Sequence, residues 1–248
     1  MSEQPNPSLY GDEPAPATKP VAPGLMDQFI GVFTEPVTLF KRLAAAPSWA
    51  WAVGLGVALA LTVSVIWGLR VDVDAMLRPI LERNPQLSAD QIDAAIGIQR
   101  KFILPFSVLG SLIGIPVITA IVALVYFLVG KGLSEGEPAS FEHAMSAAAV
   151  PGLVMVPHSL GVLVMCMVRE VGGATPDKLA PTALGFFLHA EAPKVQALFN
   201  LMDPFVIASW VMTWLATRHL MGMKVSGATL CTALVVLFGV GGRLLGAR

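Results

Sequence analysis

Apolar residues run along this chain in long blocks, without the alternation of a surface strand. Five stretches carry no charged side chain: 49–69, 102–130, 144–168, 204–217 and 225–242. A bilayer core about 30 Å thick is crossed by roughly 20 helical residues, so the first, second, third and fifth stretches each predict one span. The fourth is short at about 1.5 Å per residue unless it continues to Met223, where Arg218 can reach back to the headgroups. Five spans result, at about 49–69, 102–130, 144–168, 204–223 and 225–245. None resembles the alternating segments of about ten residues that build a membrane barrel. The expected fold is all-α: a polytopic helical bundle of five transmembrane helices with short interfacial helices.

Outside the spans the pattern changes. Residues 1–24 hold six prolines with small and acidic residues, too little apolar surface to offset the entropy of ordering, which predicts a disordered Pro-rich tail. Over 25–48, Met26, Phe29, Ile30 and Phe33 recur with helical spacing. Thr34, followed by Glu35 and Pro36, then reads as the N-cap of a second short helix carrying Val37, Phe40 and Leu43. Lys41 and Arg42 lie beside that stripe just before the first span, as in a helix lying against anionic lipid; a helix packed on the bundle fits equally. The 49–248 remainder is the five-span domain. Its loop 70–101 predicts a helical hairpin outside the bilayer, with Asn84-Pro85 ending one helix and the capping box Ser88–Gln91 opening another that continues toward the second span. In 169–203, Val195, Leu198, Phe199 and Met202 form a further stripe of interfacial character.

Composition sharpens this picture. Hydrophobic residues make up 55% and charged residues 13%, against about 25% charged in soluble domains, and the mean hydropathy is +0.70. That excludes an ordinary water-soluble enzyme. A formal net charge of −1 gives no general attraction to nucleic acid. Cys166 and Cys231 both lie inside spans, which argues against a disulfide framework or a thiolate metal site.

Candidate chemistry is sparse. The charge-free stretches hold no Asp or Glu, and neither H-E-x-x-H nor G-x-S-x-G occurs. Glu135, Glu137 and Glu142 read as solvated loop acids, and the four histidines are too scattered to form a ligand set. No catalytic, cofactor-binding or metal-binding residue is assigned, and no cofactor is implied. Two intramembrane polar candidates remain. His158 follows Pro157 near the middle of the third span; it suits either a hydrogen bond to a neighbouring helix or a cavity-lining group whose protonation changes near neutral pH. Asp203, before Pro204, suits an N-cap better than a site. Gly110 and Gly114 in the second span have the spacing that lets helices approach closely, either within the bundle or between two copies.

Three groups of residues carry a family resemblance. They are Phe33-Thr-Glu-Pro-Val-Thr-Leu-Phe40 with Pro47-Ser-Trp49; Ser140-Phe141 with Ala147-Ala-Ala-Val-Pro151; and Leu201-Met-Asp203-Pro-Phe205 with Trp210 and the turn from Gly222 to Ser226. Together, over about 29–245, they resemble the Yip family of five-span membrane proteins, named for interaction with Ypt/Rab GTPases, and more closely its bacterial branch. The resemblance implies a five-helix bundle with a cytosolic N-terminus and no known catalysis. Bacterial relatives lack the vesicle-traffic machinery, so the Rab-linked role is not carried over. Six Lys and Arg lie on the side of the N-terminus and ten on the other, which taken alone favours the opposite orientation. Lys41 and Arg42 directly before the first span favour the cytosolic N-terminus. The expected function is a non-enzymatic interaction or scaffold protein of the cell membrane, organising membrane or envelope through lipid and protein contacts. The alternative is a small transporter or channel component with a kinked third span.

Overall fold

The structure is a computed structural model and describes residues 20–136 and 139–246. Most of the expected 1–24 tail lies outside these, as do Lys19, Glu137 and Arg248. Twelve α-helices follow in chain order among the described residues, with no strand beyond one bridge between Ser134 and Met223.

Helices α1 (Leu25–Thr34) and α2 (Pro36–Ala45) precede the first span, α3 (Ala50–Arg70). Glu35, not Thr34, is the N-cap of α2. Thr34 belongs to α1, where its hydroxyl donates to the Ile30 carbonyl at 3.0 Å. The apolar stripe read over α1 faces outward: Met26, Ile30 and Phe33 are exposed, while Gln28 and Val32 are buried. The α2 stripe faces inward, and Leu39, Phe40 and Leu43 join Val32 in the main core.

Beyond the first span, α4 (Val73–Leu81) is capped by Asp72, whose Oδ1 accepts from the Asp74 and Ala75 amides. Helix α5 (Ala89–Leu109) opens on the expected capping box, with the Gln91 amide donating to Ser88 Oγ at 3.3 Å and the Ser88 amide to Gln91 Oε1 at 2.9 Å. It continues through a π-helical turn, Gly110–Gly114, into α6 (Ile115–Leu133), a run of 45 residues. The second span is therefore the inner part of a helix longer than the bilayer is thick. Pro116 supplies no amide hydrogen and crowds the carbonyl four residues back, which widens the preceding turn.

Third comes α7 (Phe141–Ala149), a 3₁₀ segment (Val150–Met155) and α8 (Val156–Val168). Pro151 and Pro157 account for the break, each removing one helical hydrogen bond. This span is the central one: a third of its most apolar window is buried, against 11% in the second and fifth.

The fourth span departs from expectation. Helix α11 (Pro204–His219) has only 16 residues, and it reaches spanning length only with α10 (Pro193–Leu201), bent 61° from it. Four helices cross on their own, or five elements if this pair is one broken span. The chain cannot stay helical to Met223 because Gly222 adopts φ +61°, open to glycine at little cost, and the Lys224 amide turns back to the Leu133 carbonyl at 2.7 Å. A short α9 (Leu184–Phe187) precedes the pair, and α12 (Val225–Gly246) closes the fold.

Two apolar clusters divide the interior. The larger joins α2, α6, α7 and the end of α11 around Phe40, Tyr126 and Leu153. The smaller, around Trp67, Ile96, Val162 and Cys166, secures the α4–α5 hairpin at the other boundary. There Arg70 donates to the Cys166 and Arg169 carbonyls at 2.6 and 3.3 Å, satisfying the open end of α8.

Candidate functional site

The site is built around Asp203, fully buried between α10 and α11. Its backbone is extended and its Oδ1 accepts from the Phe205 and Val206 amides at 2.8 and 3.3 Å, so it is the N-cap of α11. Pro204 occupies the first helical position, where no amide hydrogen is needed. A carboxylate here also complements the positive end of the helix.

The other carboxylate oxygen is also committed. Asp203 Oδ2 accepts from the Thr182 hydroxyl in a short hydrogen bond and from His158 Nδ1 at 2.9 Å. Thr182 Oγ1 stands 3.2 Å from the same imidazole nitrogen. Because Oδ2 is an acceptor, the network assigns a hydrogen to Nδ1. His158 comes from the first turn of α8, just beyond the 3₁₀ break, and its side chain is 15% exposed. It lines a cleft of about 280 Å³ with Ser64, Ser159 and Asp177. Ser64 is in turn held by Ser111 of the π-helical turn, Oγ to Oγ 2.7 Å.

The two candidates read separately in the sequence, a cavity-lining histidine and a capping aspartate, are thus one cluster. Asp203 is both cap and partner. Thr182 and Asp177 carry no local signal: Thr182 lies in an irregular segment 24 residues from His158, and only the fold brings them together.

The other candidates lie elsewhere. Lys41 and Arg42 are exposed on α2, ahead of the first span. Gly110 and Gly114 do not seat a neighbouring helix within the bundle, since a Cβ added at either would meet nothing within 4 Å. The close contacts fall at other glycines. A Cβ at Gly68 would stand 2.9 Å from Leu104, where α3 crosses α5, and one at Gly227 would stand 2.9 Å from Leu133. Among the described residues no three His, Cys, Asp or Glu side chains are grouped to hold a metal ion.

The Pro-centred prelude, the broken third span and the Asp203-Pro204 opening of α11 all fall within one match: the family model described as Yip1 domain covers residues 30–244. The chain belongs to the Yip1 domain family. No curated protein and no solved structure matches it. Residues within the three groups that carry the resemblance have clear physical roles. Phe40 fills the main core, Pro151 breaks the third span, and Asp203 caps α11 while tying its start to α8.

Proposed function

We propose that this Yip protein is a non-enzymatic interaction scaffold of the cell membrane, with its N-terminus in the cytosol. The observation that carries this reading is the saturation of Asp203. It is the one acid buried among the described residues, and its two oxygens accept four hydrogen bonds from groups that fix the architecture. A buried carboxylate so engaged holds helices in register rather than exchanging ligands.

The outer surface fits the same role. Met26, Ile30 and Phe33 form an outward apolar face on α1, with Lys41 and Arg42 exposed on the adjoining α2. Apolar side chains set in the headgroup region beside basic ones favour anionic lipid. The open surface at Gly110 and Gly114 suits contact with a second copy. Crosslinking in native membranes is expected to recover specific protein partners, with no solute flux through the purified protein in liposomes.

A small transporter or channel component is the competing reading, favoured by the free edge of His158 on its cleft. It requires flux, and it requires that His158→Leu fold normally while abolishing a pH-dependent activity. Flux with that signature would displace the scaffold reading.

A further inference from the structure

Three clefts follow one another from the membrane boundary into the bundle. The outermost, about 480 Å³, lies between the Pro176–Leu179 turn, α10 and the end of α12, and carries Asp177, Lys178 and Arg243. The His158 cleft shares Asp177 with it. A third, about 260 Å³, shares Ala60 and Ser159 with the second and is walled largely by small residues such as Ala52, Gly56 and Gly152. Lining groups therefore change in order from charged, to hydroxyl and imidazole, to methyl. Water has few partners at the inner end, whereas an amphiphile carries its own groups in this sequence.

We propose that these clefts bind one single-chain aminophospholipid, of the lysophosphatidylethanolamine class. The phosphate lies between Lys178 and Arg243, the ammonium meets Asp177, the free glycerol hydroxyl hydrogen-bonds with His158 Nε2, and the acyl chain follows α3 past Ala60 to Gly56.

Charge complementarity selects the head. Neither Lys178 nor Arg243 forms an ion pair among the described residues; Arg243 makes one long hydrogen bond to the Asn200 carbonyl, 3.4 Å. Asp177 accepts from Asn200 Nδ2 at 3.4 Å, so its carboxylate retains acceptor capacity for an ammonium. A purely anionic head would satisfy the two cations and leave Asp177 facing phosphate. Phosphoethanolamine pairs all three charges.

Two features select a single chain with a hydroxyl. His158 Nε2 makes no hydrogen bond among the described residues, both side-chain bonds being at Nδ1, and a diacyl glycerophospholipid offers no glycerol hydroxyl to meet it. The chain path is one row of small residues at every fourth position of α3, Ala52, Gly56, Ala60 and Ser64, an inclined groove. Ala52 ends the row in the main core, and one turn short of it no helix fills the groove: a Cβ added at Gly56 or at Gly152 meets nothing within 4 Å.

The test is native mass spectrometry of the purified full chain with defined lipids, joined to crosslinking by lysophosphatidylethanolamine bearing a diazirine in its chain. One lysophosphatidylethanolamine should be retained per chain, at least tenfold better than lysophosphatidylglycerol, and its crosslinks should fall on α3 and the 3₁₀ segment. Asp177→Asn should erase the preference between the heads. Lys178→Ala and Arg243→Ala should each weaken retention about tenfold. Gly56→Leu should block the chain path with an unchanged melting temperature, and Gly152→Leu serves where Gly56→Leu does not fold. Equal retention of both lysolipids overturns the head assignment. Equal retention of diacyl phosphatidylethanolamine overturns the single chain. Binding of soluble glycerophosphoethanolamine as tight as that of the lysolipid, or crosslinks spread over the outer faces, overturns the groove.

Discussion

At the scale of single residues, Asp203 ties three segments of the chain together. It closes the first turn of α11 through Oδ1 and ties α8 and the Thr182 segment together through Oδ2. Removing it leaves two helix amides and the imidazole without this acceptor. Asp203→Ala is therefore expected to cost about 3 kcal/mol, from loss of a charged hydrogen-bond acceptor and of a helix cap. Asp203→Asn keeps an oxygen for the cap and should cost about half as much. Unfolding in mixed detergent micelles measures both, and equal losses would show that the cap is not the separable part. Each member of the pair was visible in the sequence alone, because a histidine or an aspartate is conspicuous in an apolar stretch. Their partnership was not, since 45 residues separate them and no periodicity spans such a distance.

At the scale of elements, two helices depart from the usual reading of an amphipathic stripe. In water the apolar side of a helix marks the core; here α1 turns Met26, Ile30 and Phe33 outward and buries Gln28 with Val32, and α10 turns Val195 and Leu198 outward, with Met202 just beyond its end, and buries Asn200 with Leu201. The spacing of these residues showed that helices form and could not show which face packs, because lipid accepts apolar side chains as readily as a core does. Helix α2 keeps the aqueous rule, with Phe40 fully buried. Phe40→Ala should then cost about 3 to 4 kcal/mol, while Ile30→Ala, on the outward face of α1, should stay within about 0.5 kcal/mol. Comparable losses would place the α1 face against the bundle.

The α4–α5 hairpin obeys electrostatics instead. The Arg78 guanidinium bonds both Asp74 and Asp93 at 2.7 Å, and its hydrogen bond holds the Asp74 carboxyl below the usual carboxylate range. A depressed native pKa stabilises above the unfolded value and is lost as pH falls through the native one. The protection factors of the α4 amides, the intrinsic exchange rate at each pH divided by the observed one, should thus be flat from about pH 5 to 8 and fall at lower pH, and Asp74→Asn should remove that fall. Gly173 offers a steric test of the same docking: a Cβ there would stand 2.7 Å from the Ala75 and Met76 backbone. Gly173→Ala should loosen α4 and speed its exchange at neutral pH.

At the scale of the whole molecule, the two ends of the bundle differ in kind. The end carrying α1 and α2 is closed by short connections: the Ser134–Met223 bridge, the Arg218–Glu135 ion pair at 3.0 Å, and His143 Nε2 at 3.0 Å from the Ala44 carbonyl. The opposite end carries the α4–α5 hairpin, the 169–203 segment and the mouth of the charged cleft. Total Lys and Arg favour this second end as cytosolic. The first span usually dominates insertion, however, and Lys41 and Arg42 stand immediately ahead of it, whereas after it only Arg70 lies as close and Arg78 and Arg83 stand farther out in the α4–α5 hairpin. A reporter fused at the N-terminus should therefore be active in the cytosol, and one placed within 82–88 should not. Lys41→Gln with Arg42→Gln should produce a mixed population, because little bias at the first span then opposes the later loops. A cytosolic 82–88 reporter in the unaltered chain would reverse the orientation. The outcome also decides which leaflet can load the clefts: with the N-terminus inside, lysophosphatidylethanolamine added from outside reaches their mouth without crossing the bilayer, so labelling of intact cells by the diazirine lipid should match labelling of opened membranes.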